Sequence, residues 1–130
     1  RKNQRTKINQ MKYLTNQEAF DIVVRHMATQ NKRSIRTVGG KETCAYRGGD
    51  GSKCAIGILI PDHCYNKKME GKSVSNIEVK SFKYLDKRLI HELQYIHDAR
   101  ATSEWENRLK ELAEKMGLSF PEDAFKKDKI

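Results

Sequence analysis

Cys44, Cys54 and Cys64, together with His26, His63, His91 and His97, are the side chains with most chemistry to offer in this 130-residue chain. Thiolate plus imidazole is a zinc donor set, so the three cysteines with His97, or with His63 or His91, form a candidate metal site. Nine residues separate successive cysteines, whereas fingers and ribbons place one ligand pair about two to four residues apart. The spacing therefore favours thiols that serve as small buried hydrophobes, with no cofactor. A Cys–His nucleophile is the next possibility, built in space from Cys54 or Cys64 with His97 and oriented by Asp98 or Asp62. No glycine-flanked nucleophile or oxyanion arrangement can be read beside any cysteine. Adjacent helix positions diverge by about 100°, so His97 and Asp98 are not expected to grip one small ligand together. His97 reads as a buried ring bonded to a loop backbone, and His26 as a hydrogen-bonded histidine at the edge of a core.

Gly48-Gly49-Asp50-Gly51 offers a second kind of chemistry, a phosphate cradle. It lacks the Gly-Lys-Ser/Thr ending of a P-loop, and Asp50 would repel phosphate. A tight chain reversal accounts for it. Tyr46, Arg47 and Lys53, with Lys67 and Lys68, could make a basic and aromatic patch for single-stranded nucleic acid, opposed by Asp50, Asp62 and Glu70 nearby.

Composition narrows the class. Apolar residues make up 37% and charged residues 33% of the chain, so a small core under a heavily solvated surface is expected, in one domain. No apolar run approaches the roughly 20 residues of a membrane span, which predicts no membrane partner. Arg1-Lys2-Asn3-Gln4-Arg5 leads into no hydrophobic block, so no secretory signal is expected. An opening without methionine is expected to reflect a start that was lost or lies upstream. An odd cysteine count without a signal predicts free thiols in the cytoplasm. The formal charge is +9, but residues 1–12 hold five of those charges and residues 126–130 two, leaving the body close to neutral. Arg1, Lys2, Arg5 and Lys7 in that basic arm are the candidate phosphate contacts if the partner is a nucleic acid.

Three amphipathic helices must position these groups. Thr15-Asn16-Gln17-Glu18 is a capping box, followed by an apolar face at Phe20, Val23, Val24 and Met27 that predicts a helix over 16–30 with Asn31 as its left-handed cap. A short strand is expected at Ser34–Val38. Cys44–Arg47 and Ser52–Ala55 read as the arms of a hairpin about the glycine turn, bringing Cys44 near Cys54. From Ala55 the run Ala-Ile-Gly-Ile-Leu-Ile predicts a short buried helix over 54–60, stopped by Pro61, with Gly57 admitting a second backbone. A strand is expected at Ser73–Val79. Phe82, Leu85, Leu89, Leu93 and Ile96 predict a helix over about 81–98. Ser103-Glu104-Trp105-Glu106 reads as another capping box, opening a helix through Leu109, Leu112 and Met116 that Gly117 ends. The expected organisation is a basic arm at 1–12, an α+β domain at 13–120 with three helices around a small hairpin-based sheet, and a charged tail at 121–130.

Cys44-Ala-Tyr-Arg-Gly, Gly51-Ser-Lys-Cys-Ala-Ile-Gly-Ile-Leu-Ile-Pro-Asp, Met69-Glu-Gly, Leu93-Gln-Tyr-Ile-His-Asp and Trp105 together carry a resemblance over roughly residues 15–118. The chain resembles a family of small uncharacterised proteins of tailed bacteriophages and some bacterial genomes. The resemblance implies a phage-genome context and a host-cytoplasm setting, without a transferable activity. Proteins of that kind suggest a non-catalytic accessory role: binding a host or anti-phage-defence macromolecule, most simply a protein, and modulating or inhibiting it. Tyr46, Arg47, Lys53 and Tyr65 are then the expected contact residues, since exposed aromatic and arginine side chains dominate binding energetics. A nucleic-acid binder using the basic arm and a zinc- or thiol-dependent enzyme are the alternative readings.

Overall fold

A computed structural model describes residues 13–126. Three helices and a two-stranded antiparallel sheet form one α+β arrangement: α1 (Asn16–Gln30), β1 (Ile35–Val38), β2 (Lys41–Cys44), α2 (Lys87–Ala99) and α3 (Trp105–Met116). Single 3-10 turns punctuate the long connection between β2 and α2. No helix among the described residues is long and apolar enough to cross a membrane.

α1 begins where its sequence says it should. The Thr15 hydroxyl accepts from the Glu18 N–H at 3.1 Å, and the Glu18 carboxylate accepts from the Thr15 N–H at 3.0 Å, satisfying donors that a helix start leaves orphaned. Asn31 ends the helix at φ 49°. Phe20, Val23, Val24 and Met27 are buried against Leu89 and Leu93 of α2, Trp105, Leu109 and Leu112 of α3, and the connector Cys54-Ala55-Ile56. Fully burying each such side chain contributes about 1.5–3 kcal/mol, so this shared nucleus fixes the three helices relative to one another.

The predicted helix over 54–60 is one 3-10 turn, Gly57–Leu59, although Cys54, Ala55 and Ile56 are fully buried as expected. Gly57 sits against the Tyr46 backbone: a Cβ built on it would lie 2.0 Å from the Tyr46 carbonyl oxygen. Tyr46 in turn accepts from the Cys54 N–H at 3.2 Å. The close approach foreseen for this glycine is thus the contact that sets the two segments side by side.

The hairpin is displaced from its predicted place. The chain does reverse at Gly48–Gly51, where the Gly48 N–H donates to the Ser52 carbonyl and Arg47 bridges Lys53, but no ladder grows from that single bridge. Asp50 draws the turn inward, its carboxylate accepting from the Ser52 N–H and hydroxyl and from the Lys32 ammonium. The ladder forms instead between β1 and β2, in the register Ile35↔Cys44 to Val38↔Lys41. Gly39 and Gly40 both adopt positive φ, 58° and 81°, as a two-residue hairpin turn demands. Cys44 therefore pairs with Ile35, not with Cys54.

Three further expectations change. Ser73–Val79 holds a 3-10 turn at Val74–Asn76 and no strand. α2 starts at Lys87, because Asp86 caps it by accepting from the Arg88 N–H at 2.8 Å; Phe82 and Leu85 reach the core from the preceding turn instead. α3 starts at Trp105 without a side-chain cap, the Ser103 box being replaced by a 3-10 turn over Thr102–Glu104. Gly117 does end α3, at φ 70°, and the Leu118 N–H closes on the Ala113 carbonyl. Beyond it, Ser119 pairs with the Gln17 side chain through two hydrogen bonds of 2.9 Å. Phe120 and Phe125 lie on the core and Asp123 meets Arg25 at 3.1 Å, so the segment read as a tail is anchored as far as it is described.

Candidate functional site

The long connection before α2 is tied together by Glu70. One carboxylate oxygen accepts from the Tyr46 N–H at 2.9 Å, and the other from the Arg47 N–H at 3.0 Å and the Tyr65 hydroxyl at 2.5 Å. Burial and the Glu70 hydrogen bond push the Tyr65 phenol up to about 12. Arg47 lies over the Tyr65 ring, 4.4 Å from its centroid, and donates to the Ile60 carbonyl and the Asp62 carboxylate at 3.1 and 2.8 Å. Tyr46 is buried, and its hydroxyl donates to the Lys72 carbonyl at 2.6 Å. Lys53 is engaged through its backbone: its carbonyl accepts from His26 Nε2 and Gln30 Nε2, and its N–H donates to Gln30 Oε1. Of the four residues expected to contact a partner, Tyr46 is thus removed from the surface, and Arg47 and Tyr65 are committed to the Glu70 knot. The nucleic-acid patch imagined around Tyr46 loses its ring for the same reason.

Asp98 is the second hub. It accepts from Gln94 Nε2 at 2.9 Å and from His97 Nδ1 at 2.8 Å, and its charge acts on the Cys44 thiol. A carboxylate only accepts, so Nδ1 carries the His97 proton. The His97 ring is fully buried and stacks on Trp105, with centroids 5.3 Å apart; Nε2 has no hydrogen-bond partner among the described residues. The loop does reach His97, but through the main chain, where the Arg33 guanidinium donates to the carbonyls of His97 and Arg100. The pair predicted to diverge meets because Trp105 pins the ring and turns its Nδ1 edge toward the short Asp98 side chain. Cys44 and Asp98 open on a groove of about 780 Å³ between α2 and the segment after Glu70, with Tyr95 on its rim.

This arrangement bears on the thiol chemistry. Desolvation, then the Asp98 charge, raise the Cys44 thiol above its ordinary value, the reverse of what an activated nucleophile needs. Cys54 is buried and pushed up to about 12, chiefly by desolvation, and its sulfur accepts from the Gly57 N–H at 3.1 Å. Cys64 sits in the 3-10 turn Asp62–Cys64. The cysteines are free thiols, and among the described residues no three His, Cys, Asp or Glu side chains converge as a metal cage would require. The candidate ligands Cys44, Cys54, Cys64 and His97 are distributed over separate structural roles. We expect iodoacetamide at pH 8 to label native Cys44 while sparing Cys54, with Cys44 slower than an unstructured thiol because its thiolate fraction is reduced. The rate should climb through pH 9, and Asp98→Asn should quicken it at pH 8; peptide mass spectrometry checks both, and equal labelling of Cys44 and Cys54 would refute the assignment.

Among the described residues, the two most exposed large hydrophobic side chains are rings. Tyr84 and Tyr95 are 63% and 53% exposed; Tyr84 meets Tyr13 edge to face at 5.2 Å, and Arg100 lies 5.4 Å from the Tyr95 ring. Tyr13, Tyr84 and Arg100 are singled out by no motif, whereas Tyr95 and Glu70 fall within the quoted stretches at 93–98 and 69–71 without being marked there as contact residues. With α2 starting at Lys87, Tyr84 lies on a turn and not on a helix face. Arg1, Lys2, Arg5 and Lys7 lie outside the described residues. Comparison with family models, curated proteins and solved structures finds no match.

Proposed function

We propose that the chain is a non-catalytic accessory protein of a phage-type genome, working in the host cytoplasm by binding a host or defence macromolecule and modulating, most simply inhibiting, its activity. The observation that carries this reading is the division of labour among the side chains. Cys54, His97 and the carboxylates of Glu70 and Asp98 are spent on holding the fold, while two large tyrosines stand clear of it on the surface. Exposed aromatic side chains beside cations are the composition of binding hot spots. The resemblance of the central motif to small phage proteins supports the same direction.

The test is capture by the tagged full-length chain from bacterial lysate, with and without nuclease treatment. A partner retained at near-stoichiometric amounts, and lost with Tyr84→Ala or Tyr95→Ala, is expected. Nothing above background in either arm would overturn the proposal.

A further inference from the structure

Leu14 fixes the start of the described chain at a particular place. Its side chain is buried and its N–H donates to the Ser81 carbonyl at 3.0 Å. Tyr13 is thereby held over the turn that precedes α2, where it forms the edge-to-face pair with Tyr84. Tyr13 lines a groove of about 830 Å³ between that turn and the first part of α2, and Tyr84 adjoins it through the ring pair. Lys80, Lys83 and Lys87 line it against one acid, Glu78, with Phe82 and Ile90 supplying apolar surface. Lys83 also lies 5.4 Å from the Tyr84 ring. Residues 1–12, with five cations and no acid, join the protein at Tyr13, on the lip of this groove.

We propose that this groove binds single-stranded nucleic acid, with unpaired bases stacking on Tyr84 and Tyr13 and phosphates following Lys80, Lys83 and Lys87. The inference deepens the binding role proposed above and rests on it. Charge complementarity selects the occupant. An acidic protein surface would answer the lysines and leave exposed rings unused, and a duplex would offer phosphates while keeping its base faces stacked. An unpaired strand presents a ring and a charge at every nucleotide, which is the combination that aromatic and basic grooves read without sequence preference. Phosphates held by these lysines add affinity through counterion release, a contribution that falls steeply with salt.

Fluorescence anisotropy of the full-length chain with labelled oligo-dT and oligo-U of about 12 nucleotides, against a duplex of equal length, tests the proposal. Single strands should bind more tightly than the duplex, and Tyr84→Ala should weaken them about tenfold or more, in line with the loss of one stacked base. Tyr84→Phe should restore binding, and Val38→Ala, exposed on the β1–β2 ribbon and outside the groove, should leave it unchanged. Lys83→Ala with Lys87→Ala should flatten the salt dependence. Tyr84 is mostly exposed, so its replacement leaves the core intact. Binding that survives Tyr84→Ala and vanishes only on deleting residues 1–12 would overturn the groove as the site. No oligonucleotide binding, alongside capture of a protein partner from lysate, would sink this inference and leave the binding role standing; neither result from either experiment would sink both.

Discussion

Gly57→Ala should destabilise the protein by about 3 kcal/mol, at the upper end of what overpacking a core costs. The added methyl would sit 2.0 Å from the Tyr46 carbonyl oxygen and 2.8 Å from its carbonyl carbon. Both are backbone atoms, so no side chain can swing aside. Relief requires the Tyr46 and Gly57 segments to separate, and that would stretch the Cys54 N–H bond to Tyr46 and disturb Ala55 and Ile56 in the nucleus. In urea, the midpoint should fall by roughly 1–3 M at a slope of about 1–3 kcal/mol per molar. Gly49→Ala is the matched control, because a Cβ there meets nothing within 4 Å and a surface change of that kind stays within about 0.5 kcal/mol. Equal midpoints for the two variants would show that the close approach does not constrain the fold.

Glu70→Ala is the second large effect. Removing the carboxylate strips one partner each from the Tyr46 N–H, the Arg47 N–H and the Tyr65 hydroxyl. Hydrogen bonds to a charged group are worth about 1.5–3 kcal/mol, and the donors left behind carry their own desolvation penalty where water cannot enter. Partial exposure at Arg47 and Tyr65 lets water replace some of the loss, so about 3 kcal/mol is expected in total. Tyr65→Phe should cost about 1 kcal/mol, and combining the two changes should fall short of their sum by a similar amount, because they share one bond. The phenol gives an independent readout. Tyr65 ionises at about 12 because of burial first and the Glu70 bond second, so Glu70→Ala should move its absorbance titration part of the way back toward the ordinary tyrosine value. Strict additivity and an unmoved titration would together dismiss the knot.

These two residues also mark what the sequence makes legible. Gly57 could be found from the chain alone, since a glycine inside an apolar run signals close backbone approach. The Thr15–Glu18 box, Asn31 and Gly117 are equally local: each terminates a helix through bonds to residues within about five positions, so their pattern is written in consecutive letters. Glu70 has no such local signature. Its partners at 46 and 47 lie over 20 positions away, and the letters Met-Glu-Gly read as a polar loop. Asp98 is similar, because its influence on Cys44 depends on where β2 ends. The hairpin was misplaced because two glycine turns compete in one stretch. Gly48–Gly51 holds more glycines, but Asp50 folds that turn back on Ser52 and Lys32, whereas Gly39-Gly40 leaves strands of equal length free to pair. Tyr46 followed from the same error: a hairpin arm would alternate it toward solvent, while the observed path carries it under Glu70.

The β1–β2 ribbon has a consequence of its own. Seven of its eight residues are exposed and the eighth is only half-buried, so the ribbon contributes almost nothing to the nucleus that holds α1, α2 and α3 together. A two-stranded hairpin alone is marginal in water, and this one is tethered at its base by Arg33 on the end of α2 and by Lys32 on Asp50. The molecule therefore has two tiers of stability, with the ribbon opening well before the helices. Gly39-Gly40 is accordingly a splice point: a foreign segment or fluorescent reporter inserted there would ride on a detachable handle, and the cost of closing the longer loop grows only slowly with its length.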